Sequence, residues 1–156
     1  MTLSSIQMVD AVRRTGYDPV RSRRRKLAGA IGEQLALIAA EQDGAPYRKT
    51  VRKRRRDLET DALTEFEEHR RLSKWWWHSE DESVYAQIRY GSAVLPLAGG
   101  KTVFAVADLT ALTLVLADLK RAVLAGDFDA QLAEAAASLK RRFNTPKRKR
   151  APNGSE

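Results

Sequence analysis

Three residues at every second position, Tyr85, Gln87 and Arg89, set a ring, an amide and a guanidinium in a row. Between and beside them Val84, Ala86, Ile88 and Tyr90 fall in the opposite phase, so the stretch reads as a half-buried strand with one polar face. Rings stack on unpaired bases and guanidinium groups pair with phosphates. That face therefore has the chemistry of a platform for single-stranded nucleic acid. Just upstream stand Trp75, Trp76 and Trp77. Alternation sends Trp75 and Trp77 inward and leaves Trp76 outside, which makes Trp76 the second candidate stacking ring. Burial in the core is the competing use of all three rings.

Two basic runs supply candidate phosphate contacts. The first, Arg21 to Lys26, includes Arg23, Arg24 and Arg25, and the second, Tyr47 to Arg56, includes Arg48, Lys49, Arg52, Lys53, Arg54 and Arg55. The first run lies in the opening turns of a helix, where the backbone already carries partial positive charge. It costs stability there unless an anion relieves it. The second run is too charged to bury and reads as a solvated loop or an exposed edge strand. Six acids between Asp57 and Glu68 follow it, and they neutralise the run if they fold back on it. Exposed ion pairs contribute little energy, so the clustering itself points to a polyanionic partner.

Other chemistries find no footing. Gly99-Gly100-Lys101-Thr102 resembles the end of a phosphate-binding loop, but Leu95 stands where the first glycine belongs and a strand-like Val-Phe-Ala-Val follows instead of a helix. His78 beside Glu80, Asp81 and Glu82 matches no metal-ligand spacing and reads as a wet acidic turn, and His69 sits among charges. The chain has no cysteine, which excludes disulfides, thiolate catalysis and cysteine zinc sites. No nucleophile-and-base constellation emerges, so the expectation is a protein that is not an enzyme and takes no metal or cofactor.

The chain has 156 residues, 43% of them hydrophobic, with a formal charge of +8 and a pI near 10.0. This is one domain's worth, and the basic balance again favours nucleic acid over other partners. Met1 to Val12 lacks a basic segment ahead of an apolar run, and nothing approaches a membrane span. Secretion and membrane insertion are not expected.

The elements that must position these residues follow from periodicity and punctuation. Residues 1–18 read as an N-terminal arm or short helix. Asp18-Pro19 caps a helix running to about Asp43, with Leu27, Ile31, Leu35 and Ile38 as its stripe. Asp57 to Glu68 suits a helix through Leu58, Ala62 and Phe66, or else a hairpin linking Val51 to the tryptophans. Gly91-Ser92 reads as a two-residue hairpin loop pairing Tyr90 with Ala93 and Ile88 with Leu95, with Pro96 at an edge or bulge. Thr102 to Ala107 is a third strand of this meander. Asp108 caps a helix with the stripe Leu109, Leu112, Leu116, Leu119 and Val123, which either packs internally or forms a homodimer. A last helix after Gly126 carries Phe128, Leu132, Ala135, Leu139 and Phe143. Residues 144–156, with Lys147-Arg-Lys-Arg, read as a disordered basic tail. The expected fold is α+β, an antiparallel meander packed on C-terminal helices, with a basic N-terminal helix, in one domain over residues 19–143.

The order Lys74-Trp-Trp-Trp, Arg89-Tyr-Gly, Gly100-Lys-Thr and Ala125-Gly-Asp-Phe-Asp-Ala-Gln resembles an uncharacterised family of bacteriophage and prophage proteins, over roughly Arg24 to Leu139. The resemblance implies a phage setting, hence the cytoplasm of a bacterial host, and a hairpin over Tyr47 to Lys74. It brings no activity with it. The sheet-then-helix order from Trp75 to Leu124 is also similar in pattern to the single-strand-binding domain of positive-cofactor-type transcriptional coactivators, without their serine-rich segment. The resulting expectation is a non-catalytic nucleic-acid-binding protein that favours single-stranded DNA. The alternative is a phage-encoded protein that inhibits a host or defence complex by protein–protein contact, its basic surface meeting an acidic patch.

Overall fold

The computed structural model describes residues 3–13 and 16–145. The expected basic tail lies outside the described residues from 146 onward. At the N-terminus a single 3-10 turn, Leu3–Ser5, precedes an arm whose Met8 and Val12 are exposed.

Helix α1, Pro19–Gln42, starts where the sequence places it, with the Asp18 carboxylate accepting from the Val20 and Arg21 amides and proline in the first turn. Its buried side is Leu27, Ala28, Ile31, Gln34, Leu37 and Ile38. Helix α2, Leu109–Ala125, is capped by Asp108, whose carboxylate accepts from the Ala111 amide, and ends at Gly126 with φ of 100°. Glycine is required there twice over, for the left-handed backbone and because a Cβ would lie 2.6 Å from the Arg24 guanidinium. Helix α3 spans Asp129–Asn144. Helices α1 and α2 pack antiparallel, since Gln42 donates to Thr110 at one end and Arg24 lies beside Gly126 at the other. Leu112, Leu116 and Val123 of the leucine stripe are buried in this contact and against the sheet, so the stripe packs within the chain. Phe143, expected on the inner face of α3, is 86% exposed.

The strands are β1 Lys49–Arg56, β2 Leu63–Arg70, β3 Trp76–His78, β4 Val84–Gln87, β5 Arg89–Tyr90, β6 Ala93–Val94 and β7 Val103–Val106. All pair antiparallel, in three small sheets: β1-β2, β3-β4-β7 and β5-β6. The fold is α+β, as expected, but the single meander is not formed. The Gly91-Ser92 hairpin pairs Tyr90 with Ala93, and the Leu95 amide donates to Ile88, as its register requires. Pro96 has no N–H with which to continue the ladder, so pairing stops there and β7 takes the open edge of β4 instead.

Asp57 to Glu68 is not a helix. It closes a hairpin in which β2 faces β1 over eight residue pairs, from Lys49 opposite Arg70 to Arg56 opposite Leu63. The tertiary pairing overrides a helical periodicity carried by only three apolar residues. Of these Leu58 and Phe66 end up exposed, so the hairpin projects from the body. Its root is held by Tyr47 and Leu72 against the core and by a Lys49–Glu33 ion pair of 2.6 Å.

One core joins the remaining elements. Trp76, Val84, Ala86, Ile88, Tyr90 and Leu95 from the sheet side meet the buried residues of all three helices. The helices therefore cover one face of β3-β4-β7 and leave the other open.

Candidate nucleic-acid interface

Period-two alternation fixes what the open face shows. Val84 and Ala86 are 1% exposed, while Tyr85 and Gln87 between them are half-exposed and Arg89 is exposed. The register brings Trp77 opposite Tyr85 on one side and Ala105 opposite it on the other, with Val103 opposite Gln87. The Trp77 and Tyr85 rings lie 6.1 Å apart between centroids and are tilted by 52°. With the Gln87 amide turned so that its oxygen faces Arg89, that oxygen accepts from Arg89 Nη2 at 2.9 Å and Nε at 3.1 Å. Tyr85 and Gln87 thus share the open face of β4, and Arg89, which begins β5 in the adjoining two-stranded sheet, joins them through the Gln87 amide. The face presents two adjacent rings and a guanidinium whose remaining N–H groups are unspent.

Trp75 packs partly buried against the core, as expected, but Trp76 and Trp77 have exchanged their expected places. Trp76 is 4% exposed and belongs to the core, whereas Trp77 is 42% exposed. The cause is Gln34, a buried amide on α1. Its Nε2 donates to the Ser73 carbonyl at 2.9 Å and its Oε1 accepts from the Trp75 amide at 3.1 Å. This two-point clip seats the chain just before β3 and points Trp76 at the helices. Trp76 is therefore not placed to stack on a base, and Trp77 is the exposed ring beside Tyr85 instead. Gln34 and Trp77 are the residues of this candidate site that the sequence does not single out. The signal for Trp77 was the register across the turn: seven residues separate it from Tyr85, its cross-strand partner.

The acidic turn beside this face is self-contained. The Asp81 carboxylate accepts from the Ser79 and Ser83 hydroxyls, and the first of these bonds is the main reason its pKa lies below the ordinary carboxylate value. Among the described residues no group of three or more metal-ligating side chains occurs.

The first basic run does not join the ring face. Leu27, Ala28 and Ile31 of α1 share the core with Val84, Ala86 and Ile88, so the helix lies behind the sheet. Arg24 is committed to Asp129 of α3, with Nε donating to Oδ1 at 2.8 Å and Nη2 to Oδ2 at 2.5 Å. That bond raises the Arg24 pKa and lowers that of Asp129. Lys26 sits 4.8 Å over the Tyr90 ring, and burial raises that phenol's pKa. Arg23 is half-buried, and Arg25 is exposed in an open groove with Arg13, Tyr17 and Arg21. The cluster at the helix start is thus partly relieved by a carboxylate of its own chain, Asp129.

The second run is largely neutralised by the acidic block, as folding back requires. Arg52 meets Glu67 at 3.8 Å, Arg54 meets Glu65 at 3.0 Å, Arg56 meets Asp61 at 2.9 Å, and Lys53 pairs with Glu68. The Lys53 bond is the chief cause of a lowered Glu68 pKa. Arg48 and Arg55 make no ion pair among the described residues. No helix among the described residues is long and apolar enough to cross a membrane. Comparison with protein families, with curated proteins and with solved structures finds no match to this chain.

Proposed function

We propose that the protein binds single-stranded nucleic acid, DNA in the first instance, without catalysis, through the open face of β3-β4-β7. The observation that carries this reading is the Trp77–Tyr85 ring pair beside the Gln87-held Arg89. Successive unpaired bases stack on such rings at about 1–3 kcal/mol each, and a guanidinium at the edge neutralises the phosphate between them. Duplex is disfavoured because paired, stacked bases hide their faces from such rings. The phage resemblance supports a setting in the cytoplasm of an infected bacterium.

The test is fluorescence anisotropy of labelled single-stranded and duplex oligonucleotides of equal length at near-physiological salt, with tryptophan emission read in parallel. Tighter binding of single strands, with quenching that disappears in Trp77→Ala, is the expected result. Binding that ignores strandedness and leaves tryptophan emission unchanged would sink the proposal.

A further inference from the structure

The β1-β2 hairpin stands off the body, and its chemistry differs from that of the ring face. Residues 48–71 hold nine Lys or Arg against six Asp or Glu, a surplus of three cations. Across the ladder β2 lays Glu67 opposite Arg52 and Glu65 opposite Arg54, and it pairs Glu68 with Lys53. On its other edge β1 has no strand neighbour among the described residues. That edge is eight residues long, and its outward N–H and C=O groups are free to continue a sheet.

From this we infer that the open edge of β1 docks an acidic, extended segment of a partner protein, which adds as a third strand. Strand β2 shows the composition that β1 accepts: carboxylates on both faces, matched to the run of cations from Arg52 to Arg56. The cations are there to select. They repel another copy of β1 and any basic strand, and they favour one rich in Asp and Glu. Arg55, with no carboxylate of its own, is the cation left for the incoming strand. A nucleic-acid strand fits this edge poorly. It has no amide ladder with which to satisfy the backbone groups of a sheet edge.

The probe is a labelled, end-blocked decapeptide alternating threonine and glutamate, titrated with the full chain. It is compared with a version carrying lysine for glutamate and with one interrupted by proline. The glutamate peptide binds about tenfold more tightly than either control, and the β1 amides that point away from β2 exchange more slowly in its presence. Arg55→Glu lowers its affinity about fivefold while the β1-β2 ladder keeps its own protection. Equal binding of the glutamate and lysine peptides, full binding of the proline peptide, or slowed exchange only outside β1 overturns the inference. So does displacement of the peptide from β1 by a single-stranded oligonucleotide. Failure of the ring face would appear separately, in tryptophan emission.

Discussion

Trp76 and Trp77 are adjacent and chemically identical, yet one is buried in the core and the other stands against solvent and Tyr85. Substitution therefore separates them. Trp76→Ala opens a core cavity and lowers stability by about 3–5 kcal/mol in denaturant unfolding. Trp77→Ala leaves the unfolding curve nearly in place and weakens single-strand binding by about 1–3 kcal/mol, as Tyr85→Ala does. The reverse pattern would return Trp76 to the surface. Gln34 is the residue that decides between them. Gln34→Leu removes the partners of the Ser73 carbonyl and the Trp75 amide in a part-buried site and costs about 1–3 kcal/mol. It also weakens single-strand binding without touching the ring face, because β3 loses what sets its phase. Gln34→Glu keeps the acceptor for Trp75 but not the donor for Ser73. An unfolding midpoint between those of the wild type and Gln34→Leu checks the two-point clip.

At the scale of elements, the seam between α1 and α3 rests on Arg24 and Asp129. The Asp129 pKa is lowered in the folded chain, so the contribution of the pair is present above the ordinary carboxylate range, near pH 4, and is lost as pH falls through the lowered folded value. Thermal unfolding followed from neutral pH downward shows wild type losing stability in that acid window. Asp129→Asn starts lower at neutral pH and changes less, since its amide does not titrate. Parallel acid profiles for the two would assign the acid sensitivity to other carboxylates. The helices were the legible elements. Caps at Asp18 and Asp108 and unbroken three-and-four spacing fix them, and both signals are local in the chain. The Gly91-Ser92 hairpin was legible for the same reason. Two features were not fixed by local pattern: which edge of β4 the last strand would choose, and whether Asp57 to Glu68 would be a helix or the hairpin that the resemblance implies. Both depend on partners distant in sequence, and in the hairpin the charges of β1 and β2 match only once the register is known. The inner and outer faces of β4 were readable from alternation, but the phase of the tryptophans was not. It depends on a contact from Gln34 to Trp75, forty-one residues apart in sequence.

Taken whole, the molecule carries a formal charge of +8, yet ten of its described cations are held in ion pairs within the fold. Four of the β1 cations face carboxylates of their own hairpin, Arg24 holds α3, and Lys74 pairs with Glu41. The helices also separate the basic start of α1 from the open sheet face, so that cluster does not sit where the rings are. Salt tests this division. Single-strand binding loses affinity with a log–log slope of about −0.7 for each phosphate neutralised. If the ring face acts with Arg89 and only a few neighbours, the slope is shallow, near −2, which corresponds to about three phosphates. Substituting Glu65→Gln and Glu67→Gln together frees Arg54 and Arg52 from their partners. If the strand passes only over the sheet, that double change leaves the slope where it was. If the slope steepens by more than one, the hairpin lies in the path of the nucleic acid. The open edge of β1 would then belong to the same surface as the rings rather than to an acidic protein strand.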